Sequence, residues 1–118
     1  MQTERRKNRS SEKYQAIGLQ FETLRQQQGA QLLALIDEEG MLLGASGDER
    51  HCEELGCRVA EKYRRQPPQA NKQWEISGTT ATCQLTRRGA KLYLGVRGQL
   101  NAEQMNVLAE SVERIFQR

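Results

Sequence analysis

The chain has 118 residues, of which 36% are hydrophobic and 28% charged, with a formal net charge of +3. One domain of ordinary size fits that length, and folding buries roughly two-thirds of the unfolded surface, enough for a core without disulfide or metal staples. The longest apolar run, Leu32 to Ile36, is too short to cross a bilayer, and no apolar segment follows the first basic residues to make a secretory leader; a cytoplasmic location is expected.

The charge is concentrated at the start. Residues 1–14 carry five basic and two acidic side chains, a surplus of three, and the remaining residues balance. Residues 1–10 are therefore expected to be a basic, flexible arm, and 11–118 a single domain. The balanced domain argues against nucleic-acid binding, which needs a cationic face.

From Ser10 or Ser11 the pattern is helical, with Tyr14, Ile17, Phe21 and Leu24 on one face and Gly29 as the stop. Gly18 inside this helix suggests close packing by another element. Gln31–Ile36 and Met41–Ser46 read as a strand pair around the turn Asp37-Glu38-Glu39-Gly40, the first strand apolar enough to be central in its sheet. Asp48 is a helix N-cap, followed by Cys52, Leu55, Gly56, Val59, Ala60 and Tyr63 at helical spacing until Pro67-Pro68.

Three strands follow. Trp74 and Ile76 alternate with polar neighbours. Ala81, Cys83 and Leu85 alternate with Thr80, Thr82, Gln84 and Thr86, predicting an exposed polar face. Leu92, Leu94 and Val96 return after the turn Arg87-Arg88-Gly89. Asn101 and Gln104 form a capping box opening a last helix with Met105, Leu108, Ala109, Val112, Ile115 and Phe116 inward. The order is α-β-β-α-β-β-β-α.

Chemistry-bearing residues are few. The sequence has no G-x-x-x-x-G-K-[ST] phosphate loop. Cys52 and Cys57 are five residues apart on a helix and so do not converge on a metal beside His51, and the spacing gives His51 no carboxylate partner. Asp37, Glu38 and Glu39 read as a charged hairpin tip rather than a cation site. No enzyme, cofactor or metal is expected.

The segment LLALIDEEGMLLGASGD (Leu32–Asp48) and the segment KLYLGVRGQLNAEQMNVLAESVERIF (Lys91–Phe116) resemble the roadblock / dynein light-chain superfamily, over about residues 12–118. The resemblance implies an α+β sandwich: a five-stranded antiparallel sheet with one helix on one face and two on the other. It implies a homodimer, or a heterodimer with a related chain, through Cys52, Leu55, Val59 and Tyr63 and the strand carrying Trp74 and Ile76. It also implies a non-enzymatic scaffold or regulator, in the manner of bacterial polarity and motility modules that bind a Ras-like small GTPase and stimulate it without an arginine finger. The mixed charges of the second helix, Arg50, Glu54, Arg58 and Glu61, are the expected docking face. The alternative is a small-ligand sensor of GAF or PAS type, which requires an apolar pocket between sheet and helices.

Overall fold

The computed structural model describes residues 16–116. The basic arm, the helix start near Ser10 and Tyr14 lie outside the described residues.

The first helix, α1, covers 16–28 and ends where Gly29 turns to φ +71 and Ala30 N–H bonds Arg25 C=O at 2.9 Å. Strand β1 (Leu32–Asp37) runs into a tight turn held by one carboxylate: Asp37 Oδ1 accepts from the N–H groups of Glu39 and Met41 at 2.9 and 2.8 Å. The acidic tip is thus a turn-builder. Strand β2 (Leu42–Ser46) returns antiparallel, with a register irregularity at Leu35/Ile36.

Asp48 then caps α2 (Glu49–Arg65) by accepting from His51 N–H at 3.0 Å. Its buried residues are Cys52, Leu55, Gly56, Val59, Ala60 and Tyr63, the stripe read from the sequence. Strands β3 (Glu75–Ser77), β4 (Thr80–Arg87) and β5 (Ala90–Arg97) follow, with Arg88 and Gly89 both at positive φ in the two-residue turn of the β4–β5 hairpin. Helix α3 (Ala102–Phe116) opens on a reciprocal capping box: Asn101 N–H donates to Gln104 Oε1 at 2.9 Å, and Gln104 N–H to Asn101 Oδ1 at 2.8 Å.

The sheet order is β2-β1-β5-β4-β3, antiparallel throughout. β1 lies inside it, so both its faces are covered and five of its six residues are buried. Leu33, Leu35, Cys83, Leu85, Leu92, Leu94 and Val96 point to one face, where Phe21 of α1 and Leu108, Val112 and Phe116 of α3 meet them. Leu32, Ala34, Ile36 and Tyr93 point to the other, against α2. The architecture is the expected α+β sandwich, with α2 alone on one face and α1 and α3 on the other.

Two expectations fail locally. Thr82 and Gln84 do not face solvent; they are 4% and 8% exposed. Tyr63 and Lys62 reach over Thr82, and the loop after α2 closes over Gln84 through Asn71, which accepts from Gln84 Nε2 at 2.7 Å. Gly18 is not a close-packing site, because a Cβ there meets no described atom within 4 Å. The close approach is at Gly44, where a Cβ falls 2.9 Å from the Phe21 ring.

Candidate interaction surface around β3 and α2

Both edges of the sheet are strands, β2 and β3, and an edge strand carries a row of backbone donors and acceptors that no neighbour uses. The β1–β2 pair is interrupted by its register shift, a device that blunts an edge. β3 keeps a regular register, with Glu75, Ile76 and Ser77 opposite Thr82, Ala81 and Thr80. Ile76 is 63% exposed, a large apolar side chain at the middle of that edge. Trp74 differs: it is half-buried, packs on the core shared with α3, and its buried Nε1 has no hydrogen-bond partner among the described residues. Of the two residues expected at a joint with a second chain, Ile76 offers free surface and Trp74 belongs largely to the monomer.

Cys52, Leu55, Val59 and Tyr63 are also monomer residues. They are 1–3% exposed and packed on β1, β2 and β5, so they have no surface left to give a partner. An apolar stripe on a helix that alone covers a sheet face packs first on that sheet. What α2 presents outward is charge, including Arg50, Glu54, Arg58 and Glu61, all exposed.

The charged helix and the open edge adjoin. Lys62 Nζ lies 2.7 Å from Glu75 Oε2 and 3.2 Å from Thr82 Oγ1, joining α2 to β3 and β4. Arg58, Glu61, Lys62, Arg65 and Gln66 line an open groove of about 450 Å³ beside that contact. Arg65 and Glu61 are bonded at 2.7 Å. On the far side of the strand, Lys72 pairs with Glu113 of α3 at 2.9 Å, a bond that holds the Lys72 ammonium above its ordinary value.

His51 does have an acidic partner, contrary to the spacing argument: its Nδ1 lies 3.1 Å from Asp48 Oδ1. The pair sits on the exposed start of α2, with the carboxylate already engaged in capping. Cys52 is buried and Cys57 exposed, on different sides of α2. Burial raises the Cys52 thiol above its ordinary value, the reverse of what a nucleophile needs. Among the described residues no three His, Cys, Asp or Glu side chains gather to hold a metal. Between the sheet and α1 and α3, where a sensor domain would hold its ligand, Phe21, Leu33, Leu35, Leu94 and Leu108 fill the layer with no exposure at all. No described helix is long and apolar enough to cross a membrane.

Solved structures share this arrangement. The chain is similar to MglB of Myxococcus xanthus, at 11% identity and a TM-score of 0.63, over 87% of this chain and 89% of that one. It is similar to the Roadblock/LC7 domain from Streptomyces avermitilis, at 12% identity and a TM-score of 0.59, over 83% and 92%. It is also similar to the gliding protein MglB from Thermus thermophilus, at 12% identity and a TM-score of 0.57, over 87% and 90%. The fold is the one that these Roadblock/LC7 and MglB structures share. No family model and no curated protein matches the sequence itself.

Proposed function

We propose that the chain is a non-enzymatic, dimeric regulator of a Ras-like small GTPase. The observation that carries this reading is the regular, open β3 edge with exposed Ile76 beside the charged face of α2, in a fold shared with MglB proteins. Two copies joined through β3 antiparallel would place Ile76 against Ile76 and make one continuous sheet, which covers the β3 edge of each copy at once. The two α2 helices then stand on the same face of the joined sheet, and a GTPase docks on that layer through mixed charges that include Arg50. Regulation requires only that the dimer bind one nucleotide state of the GTPase more tightly than the other.

Light scattering of the purified chain is expected to give about twice the 13.5 kDa chain mass. Immobilised dimer should bind a small GTPase from the source cell in one of its GDP and GTP-analogue forms. Arg50→Glu should weaken that binding while the dimer mass stays unchanged. A failure of every small GTPase of that cell to bind in either form would overturn the GTPase reading.

A further inference from the structure

We propose that the groove along the β2 edge, with its acidic rim, is the docking site of the chain's own basic N-terminal segment, residues 5–13. This surface lies at the opposite edge of the sheet from β3, and the inference does not depend on the GTPase reading.

Three elements build the groove. Gly18 of α1, Leu42 and Gly44 of β2, Gly47 just after it, and Glu49 at the start of α2 surround an open space of about 410 Å³. The three glycines leave its floor low in side chains, so another stretch of chain can approach the backbone closely. Met41 and Leu42 add an apolar step at one end, 67% and 36% exposed. The register shift between β1 and β2 disfavours an added strand here, so an occupant is held by its side chains rather than by a backbone ladder.

The rim is acidic. Glu38 and Glu39 stand in the turn that leads into β2, and Glu22 follows Gly18 by one helical turn on α1. Glu49 lines the groove, and Glu53 lies one turn further along the same flank of α2. All five are exposed, and none forms an ion pair among the described residues. Arg25, on the same flank of α1, is turned inward, donating to Ser46 Oγ at 2.8 Å and to Ala30 C=O at 3.3 Å. Arg64, near the end of α2, offsets only one of the five.

Charge and reach both name the occupant. Residues 5–13 carry Arg5, Arg6, Lys7, Arg9 and Lys13 against Glu12, a surplus of four positive charges in nine residues. The described chain begins at residue 16, already beside β2: Ile17 Cγ2 lies 3.1 Å from where a Cβ on Gly44 would stand. Ten residues of chain span at most about 33 Å, and the five residues of β2 about 17 Å, so the segment can cover the whole edge from that anchor. With the segment in place β2 is closed to a second copy. A sheet open at both edges could pair without end; one open only at β3 pairs once and stops.

Cys57 supplies the probe. It is exposed and follows Gly56, whose Cβ position is 3.6 Å from Leu42 Cδ1 of β2, whereas Cys52 and Cys83 are buried. A nitroxide attached to Cys57 should broaden the amide NMR signals of residues 5–13 at low salt. The broadening should fall by roughly half or more in about 1 M NaCl, where the Debye length is about 3 Å. The triple variant E38Q/E39Q/E53Q should lose the broadening at low salt, and circular dichroism checks that it is folded. Glu49 is kept because it sits in the first turn of α2, and Asp37 because it builds the turn before β2. When chains carrying only the isotope label are mixed with chains carrying only the nitroxide, these signals should stay sharp, since the segment docks on its own chain. Sharp signals in the first sample at low salt, or broadening that survives the triple variant, would overturn the proposal. Broadening in the mixed sample would also overturn it, giving the groove to the segment of a second copy.

Discussion

The phenolic hydroxyl of Tyr63 donates to Thr82 Oγ1 across 2.9 Å, and Lys62 Nζ donates to the same oxygen at 3.2 Å. Consecutive residues at the end of α2 thus meet on one threonine of β4, beneath the surface that the loop after α2 covers. Tyr63→Phe removes one donor and leaves Thr82 with the other, so it should cost roughly 1 kcal/mol in urea unfolding. Thr82→Val removes the shared acceptor from both donors and should cost more, since the Tyr63 hydroxyl is then buried without a partner.

Alkaline pH should destabilise the fold through its buried thiol and phenol groups. Burial, with Glu113 adding to it, pushes the Cys83 thiol up to about 12; burial pushes Tyr63 up to about 12 against the opposing pull of its bond to Thr82. Both groups are neutral when protonated. Above their ordinary values of 9.0 and 10.0 the unfolded chain releases the proton while the folded chain keeps it, so stability is full below pH 9 and falls as pH rises toward 12. Thermal melts from pH 8 to 11 should show this decline, and Cys83→Ala should flatten its first part. A melting temperature that holds level to pH 11 would contradict the burial of these groups.

Two glycines should respond oppositely to alanine. At Gly44 the new methyl falls 2.9 Å from two atoms of the Phe21 ring, which is fully buried and wedged against Phe116 at 6.1 Å between ring centroids. Gly44→Ala should cost about 1–3 kcal/mol through overpacking. At Gly18 a methyl meets no described atom within 4 Å, and Gly18→Ala should stabilise α1 by up to about 1 kcal/mol. Differential scanning calorimetry of the pair reads both signs in one experiment.

Trp74→Phe should cost little, because the ring keeps its packing on the α3 side of the core while the buried, unpartnered Nε1 is removed. Ile76→Arg should leave the folded monomer intact and lower the dimer mass. If Trp74→Phe instead dissociates the dimer and Ile76→Arg does not, the joint lies elsewhere than the middle of β3.

The elements with a strong local signature are legible in the sequence: the α2 stripe from Cys52 to Tyr63, the Arg88-Gly89 turn, and the Asp48 and Asn101 caps. Each depends on neighbours within a few positions. What is not legible depends on distant chain. Thr82 and Gln84 alternate like an exposed face, yet Tyr63 and Asn71 cover them from another layer. The apolar side of α2 carries no mark to tell a helix that covers its own sheet from one that also covers a partner; its packing on β1 and β5 comes from strands distant in the sequence. The charged residues of α2 that the sequence places outward, Arg50, Glu54, Arg58 and Glu61, are exposed.

The interior position of β1 has a consequence for how the chain comes to be folded. Its neighbour β5 pairs Leu33 with Val96, 63 positions later. The β1–β2 and β4–β5 hairpins close locally, but the central seam of the sheet waits for the last third of the polypeptide. During synthesis, Leu33, Leu35 and Ile36 emerge from the ribosome long before the strand that shelters them. Until β5 follows, this chain carries its most apolar strand half-paired, and a destabilised turn at Arg88-Gly89 lengthens that interval of exposure to aggregation.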